Sequence, residues 1–314
     1  MNQELHVVLG TGPVGLTLAE RLVAQGHLVR TVNRSGGGEQ IAGSVRVAAD
    51  VTDRGKLAEV VEGADVVYNC THVPYQLQPQ VLPVIQDALL DVVGRSGAKL
   101  VTVETLNQYG PTGGVPMTER TPLAAQGPKG KTRAAITERY LAAHERGDLR
   151  VALGMAADFF GPRVLLSSLG ATVFPAALTG GIRLGLGDID LPKSYTYVPD
   201  LAAGLAVLGS DERALGKLWH LPVAGPHTTR EIHGIISDLT GQPTQLTVQR
   251  EPEPFGPYDE AFMAEYREFF YWHTEPFVMD DSLYTSTFGG SATPMREALA
   301  TTLDWFAHTA AKGL

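Results

Sequence analysis

The chain has 314 residues, 44% of them hydrophobic and 19% charged, which suits one large α/β domain or a large domain with a smaller companion. A formal net charge of −9 and the lack of any long Lys/Arg run argue against nucleic acid or an anionic membrane as partner. The single cysteine, Cys70, excludes an intrachain disulfide and fits a reducing compartment. No secretory pattern precedes the first apolar run, and the apolar stretch 164–186 is interrupted by serines, Pro175, paired glycines and Arg183, so the expectation is a cytoplasmic protein without a membrane span.

In chain order, Leu5–Leu9 reads as a buried strand, followed by Gly10, Gly12 and Gly15 in GxGxxG spacing. An amphipathic segment from about Val14 to Gln25 reads as a helix stopped by Gly26, and Leu28–Val32 as a second strand ending at Asn33-Arg34. Strand, glycine turn, helix and strand together form a dinucleotide-binding fingerprint. Gly10 allows the tight turn, Gly12 lets backbone approach a pyrophosphate, and Gly15 lets the helix lie close on the sheet. A glycine-rich Ser35–Gln40 leads to a short strand Val45–Ala48. Thr52 or Asp53 then caps a helix around Lys56–Val61. Ala64–Cys70 is another strand, a loop carries His72 and Tyr75, and a helix near Val81–Ser96 leads to the strand Lys99–Glu104. This alternation predicts a doubly wound parallel sheet with helices on both faces.

The chain resembles the extended short-chain dehydrogenase/reductase superfamily, in its NAD-dependent epimerase/dehydratase group, over essentially its whole length. Gly10-Thr11-Gly12-Pro13-Val14-Gly15 matches the family's glycine turn. Asp50-Val51 looks like the pair that meets the adenine, and Asn69-Cys70-Thr71 like the strand end beside the cofactor. Thr105-Leu106-Asn107-Gln108-Tyr109-Gly110-Pro111 resembles the S/T-x-x-x-Y-G-P segment, with Thr105 at the catalytic hydroxyl position. Asp158-Phe159-Phe160-Gly161-Pro162, the run Tyr195–Ala202 and Trp219-His220-Leu221-Pro222 resemble later family segments in the same order. The resemblance implies a Rossmann domain over 1–162, completed by parts of 188–222, with 163–187 and 223–314 mainly forming a smaller substrate-binding region. It also implies a small-molecule substrate and a possible homodimer.

One departure stands out. Where the family carries Y-x-x-x-K, this chain reads Lys129-Gly130-Lys131-Thr132-Arg133, which sets Lys129 at the tyrosine position and Arg133 at the lysine position. Arg133 can hold a ribose, because i and i+4 share a helix face, but it does not exchange protons near neutrality. Lys129 can act as an acid only if its surroundings lower its pKa. Tyr109 and His72 are the other candidates for the proton step, and each also has a purely structural explanation. Tyr140, farther along the helix, reads as a packing or surface residue. Thr105 is expected to hydrogen-bond the substrate oxygen.

At the end of the second strand no carboxylate is present to grip a ribose 2′-OH. Asn33-Arg34-Ser35 instead offers a guanidinium suited to phosphate, so NADP is favoured over NAD. In the C-terminal part, Glu231–Leu239 reads as a helix, Pro243–Gln249 as a short strand and Tyr258–Trp272 as an aromatic helix. Thr293–Ala307 reads as a final helix with Thr293-Pro294 at its N-cap and N1 positions. No HExxH or CxxC motif occurs, so no dedicated metal site is expected. The leading expectation is an NADP-dependent oxidoreductase or epimerase-like enzyme acting at an alcohol or carbonyl carbon of a small metabolite. The alternatives are an inactive NADP-binding sensor or scaffold, and a non-redox lyase or isomerase on the same fold.

Overall fold

In a computed structural model of the protein, which describes residues 3–310, the apolar runs of the first half form one parallel sheet. Its strands are β1 (Leu5–Leu9), β2 (Leu28–Asn33), β3 (Ser44–Ala48), β4 (Val66–Asn69), β5 (Lys99–Thr105) and β6 (Arg150–Ala156), joined by Lys217–His220. The spatial order is Lys217–His220, β6, β5, β4, β1, β2, β3, and every neighbouring pair is parallel. Val7, Val8 and Leu9 of β1 have no exposed surface, as expected of a strand covered by helices on both faces. Chain order reverses on the two sides of β1, where Leu9 is level with Val32 of β2 and with Asn69 of β4. That reversal opens the crevice in which doubly wound sheets bind ligands.

The helices of this unit are α1 (Pro13–Ala24), α2 (Arg54–Val61), α3 (Gln78–Ser96) and α4 (Pro128–Glu145). Gly26 has φ +88°, the left-handed conformation that ends α1. Asp53, rather than Thr52, caps α2: its carboxylate accepts from the Gly55 and Lys56 N–H groups, while Thr52 turns its hydroxyl to Asp50. Chain contacts group the described residues up to Gln108 with Leu123–Ala156 and Leu201–Leu221.

A second unit comprises Tyr109–Pro122, Ala157–Asp200 and the described residues from Pro222 onward. Its strands come in pairs: Asp158–Phe160 with Tyr195–Tyr197, Arg183–Leu186 with Leu246–Gln249, and Pro192–Lys193 with His227–Thr228. Its core is built on Phe160, Leu169, Phe174, Tyr195, Ile232, Ile236, Leu299 and Phe306, with Leu178 packed against it. A capping box, Thr228 with Glu231, starts the helix Thr229–Thr240. Two expected helices differ in detail. The aromatic segment is α-helical only over Glu260–Tyr266 and tightens to a 3₁₀ helix over Arg267–His273, where close stacking such as Phe269 on Trp272 (5.0 Å) sets the spacing. The last helix begins at Met295, and the Thr293 hydroxyl and N–H both donate to Asp200.

Candidate active site

The three glycines after β1 serve three different physical needs. Gly10 has φ +98°, and a Cβ there would lie 2.4 Å from the Cys70 carbonyl oxygen. A Cβ on Gly15 would lie 1.9 Å from the Gly10 carbonyl oxygen, so α1 can approach the turn only without one. A Cβ on Gly12 would meet nothing within 4 Å. Gly12 is thus free of any internal packing demand; it is the N-cap of α1, has no side-chain cap, and is followed by Pro13 at N1. Bare backbone at a helix N-terminus, facing open space beside the strand-order reversal, fits the pyrophosphate of a dinucleotide.

The loop after β2 is organised by Asn33. Its Nδ2 donates to Thr11 Oγ1 at 2.7 Å and to the Gly37 carbonyl at 2.9 Å, and its Oδ1 accepts from Gly36 N–H at 2.6 Å. Asn33 therefore ties the glycine turn to the next loop, and its amide has partners within the chain. Arg34 is exposed beside it. Hydrogen bonds from the Thr52 N–H and hydroxyl, with the Arg34 charge as a lesser cause, hold the Asp50 carboxyl below its ordinary value. Val51 is buried. A second guanidinium backs the loop: Arg46 Nη1 donates to the Gly38 carbonyl at 2.9 Å, while its Nε and Nη2 have no hydrogen-bond partner.

A polar chain runs along the C-terminal edge of the sheet. Thr71 Oγ1 donates to Asn69 Oδ1 at 2.7 Å, Asn69 Nδ2 lies 3.5 Å from Thr102 Oγ1, and Thr102 Oγ1 donates to Glu104 Oε1 at 3.2 Å. Arg133 Nη1 of α4 completes it at Glu104 Oε2, 3.3 Å away. Glu104 is buried in the middle of the sheet, and desolvation pushes its carboxyl pKa up against the opposing Arg133 charge. The arginine expected to hold a ribose is thus already ion-paired on one nitrogen; its Nε is buried and has no partner. Gly130 lets α4 come this close, since a Cβ there would lie 2.7 Å from the Asn107 carbonyl oxygen.

The candidates for the proton step have different surroundings. Thr105 ends β5, and its Oγ1 is buried without a hydrogen-bond partner. Lys129 is buried in the first turn of α4. His72 is exposed on the loop after β4, and partial desolvation of its ring, with the Arg133 charge second, lowers its pKa. Tyr109 belongs to the second unit and is buried there; burial, then the Glu119 carboxylate, raises its phenol pKa, so it holds its proton. Burial likewise raises Tyr140, a packing residue. It also pushes the Cys70 thiol up to about 12, which leaves it unreactive.

Sequence reasoning passed over Glu104 and Arg46. Glu104 had a signal, because a lone carboxylate inside an otherwise apolar and threonine-containing parallel strand demands a buried partner. Arg46, on an edge strand, had none.

The sequence model of the NAD dependent epimerase/dehydratase family matches residues 7–217. A dTDP-6-deoxy-L-talose 4-dehydrogenase (NAD(P)(+)) of Kitasatospora kifunensis is 26% identical over 271 residues, covering 81% of this chain and 84% of the relative. Among solved structures, dTDP-glucose 4,6-dehydratase of Bacillus anthracis in complex with NAD is similar at a TM-score of 0.79 and 17% identity, over 97% of both chains. UDP-glucose 4-epimerase of Thermotoga maritima with UDP-glucose is similar at 0.80 and 15% identity, over 98% of this chain and 99% of that one. At such identities the structures speak for the fold. No helix among the described residues is long and apolar enough to cross a membrane. With the family's sequence signature matched over more than half its length, the chain belongs to the NAD dependent epimerase/dehydratase family and is an NAD(P)-dependent enzyme of that type.

Proposed function

We propose that the protein is an NADP-dependent oxidoreductase acting at a secondary alcohol or carbonyl carbon of a sugar-like small molecule, with nucleotide-linked sugars as the first class to try. The observation that carries the reading is the buried, unpartnered Thr105 hydroxyl at the end of β5, beside the Glu104–Arg133 pair. A desolvated hydroxyl without a partner costs stability, and a substrate oxygen would relieve that cost. The sugar class comes from the similarity to the talose dehydrogenase.

In this reading the glycine turn and the α1 N-terminus bind the pyrophosphate, and Asp50 and Val51 border the adenine. Arg34 meets the 2′-phosphate, with Arg46 as a second cation behind the same loop. NADP, when bound, supplies or accepts hydride at the reacting carbon. Thr105 Oγ1 orients the substrate oxygen. His72, neutral near pH 7 because its pKa is lowered, takes the proton from the alcohol oxygen during oxidation; in reduction it first picks up a proton from solvent and then gives it to the carbonyl oxygen. Arg133, held by Glu104, keeps its Nε for the ribose side, and Lys129 supports the first turn of α4.

The test is to follow NADPH and NADH consumption with a panel of nucleotide-linked keto sugars and simple carbonyls. Turnover with NADPH preferred is expected, and Arg34→Ala should weaken NADPH binding about tenfold while leaving NADH unchanged. Gly12→Ala should keep the melting temperature but lose cofactor affinity, since its methyl fills only the space assigned to the pyrophosphate. Tight NADPH binding without consumption across the panel would favour the sensor reading instead.

A further inference from the structure

A second site lies at the opposite edge of the same sheet, where the strands begin. Glu4 and His6 are two residues apart at the start of β1 and so share a face. His27 follows the Gly26 turn and immediately precedes β2, which pairs with β1 in parallel from Leu5↔Leu28 onward. The ladder extends one step farther, because Leu28 N–H donates to the Glu4 carbonyl at 3.0 Å, and this brings His27 beside Glu4. The His27 backbone is held as well, its N–H donating to the Leu22 carbonyl at 3.1 Å. Three side chains from two rigid strand starts thus converge. Glu4 Oε2 lies 3.3 Å from His6 Nε2 and 3.8 Å from His27 Nδ1, and one ligand atom from each of the three residues lies within 4.8 Å of the other two.

We propose that Glu4, His6 and His27 form a binding site for a borderline divalent transition ion of the zinc class. Two imidazoles and one carboxylate are a common zinc ligand set, and ligand atoms in a tetrahedral shell with bonds of about 2.1 Å stand roughly 3.4 Å apart. The observed carboxylate–imidazole separations bracket that edge, and the exposed Glu4 side chain can close the longer of the two. The ring of His6 is also oriented from behind. Its Nδ1 lies 3.1 Å from the hydroxyl of the fully buried Tyr68. When Nδ1–H donates to that oxygen, the Nε2 lone pair faces Glu4 and His27, the outer hydrogen bond typical of metal-bound histidine. Water completes the shell on the open side. No local motif announces such a site, because its third ligand comes from a neighbouring strand. Since it sits at the strand starts, away from the glycine cradle, the ion would clamp β1 to the α1–β2 turn rather than take part in chemistry.

The experiment uses full-length protein stripped with chelator and titrated with zinc chloride by calorimetry and thermal melting. The expected result is one equivalent bound per chain with a rise in melting temperature, and a red-shifted, intensified cobalt(II) spectrum on substitution. His27→Ala and Glu4→Gln, both at solvent-accessible positions, should weaken zinc binding at least tenfold while NADPH affinity changes less than twofold. Equal zinc binding by the wild type and His27→Ala would overturn the proposal, as would no binding by a correctly folded wild type. In either case the cluster is a hydrogen-bonded strand-end pairing only.

Discussion

Each of the two units buries an ion pair, and the pairs are built differently. In the second unit Lys193 Nζ donates to Asp158 Oδ2 at 2.9 Å, with both side chains less than a tenth exposed. Around it the valences close. The Ser168 hydroxyl donates to the same carboxylate, Lys193 sits 5.2 Å from the Tyr195 ring centroid, and its Nζ lies 3.4 Å from His273 Nδ1. With the ammonium donating to Nδ1, the His273 proton is placed on Nε2, 2.9 Å from the Tyr266 hydroxyl. In the first unit Arg133 and Glu104 meet at 3.3 Å, but Arg133 Nε and the neighbouring Thr105 Oγ1 are left without partners. A network in which the lysine, carboxylate and imidazole all answer one another fixes a conformation. One that leaves a desolvated donor and a buried hydroxyl unpaired is suited to receive something.

Removing one partner from each pair should separate these roles. Lys193→Met leaves the Asp158 carboxylate buried without its cation, and the expected loss is about 3–5 kcal/mol of stability. Cofactor affinity of the folded fraction should not change. Arg133→Met strands Glu104, whose carboxyl is already pushed toward its neutral form and can take up a proton instead, so a smaller loss of roughly 2 kcal/mol is expected. Cofactor binding, however, should fall at least tenfold. Chemical denaturation with parallel NADPH titration checks both. Equal stability losses with no difference in cofactor affinity would erase the distinction between the two pairs.

The second unit also carries a pH signature, from His273 of the closed network and from His233, a buried ring outside it. Burial, with the Lys193 charge second, holds the His273 pKa well below 6.5, and burial, with the Arg183 charge second, brings His233 down to about 3. Both rings are neutral in the folded unit, whereas an unfolded chain binds protons near pH 6.5. Their stabilising contribution is therefore fully present above about pH 6.5 and is lost as pH falls, by up to about 1.4 kcal/mol per pH unit for each ring. For His233 the loss continues to about pH 3. Denaturant midpoints between pH 8 and 4 should show this slope. His273→Gln, which keeps an acceptor for Lys193 and a donor for Tyr266, should remove one proton's share of it. An unchanged slope would mean that His273 is not held neutral.

The contrast between the pairs mirrors what was readable before the structure. The three glycines were legible because their constraints lie within the turn and the strands it joins: a positive φ, a close approach and a bare N-terminus all follow from spacing. The alternation of apolar runs and helices led to the parallel sheet for the same reason, and the resemblance of short motifs in order led to the family. Ion pairs are different. Glu104 and Arg133 are 29 residues apart, and Asp158 and Lys193 are 35 apart, so the chain reveals the misfit of a buried charge but not its partner. Thr293 shows the limit at small scale: its helix-capping signal was local, while the bond its hydroxyl donates to Asp200, 93 residues earlier, was not. Tyr109 shows it too, since the family motif cannot reveal that burial and Glu119 hold its proton in place.

The smallest expected effect on stability is the sharpest test of the open pair. Thr105→Val keeps the shape of the side chain and removes a hydroxyl that has no hydrogen bond to lose, so stability should change by less than about 0.5 kcal/mol, or rise slightly. If the hydroxyl exists to hold a substrate oxygen, kcat should fall about 10- to 100-fold with NADPH affinity intact, and Thr105→Ser should restore most of it. A stability loss above about 1 kcal/mol would show that Thr105 already has an internal partner. Unchanged kcat in a stable Thr105→Val protein would move the oxygen-binding role to another donor.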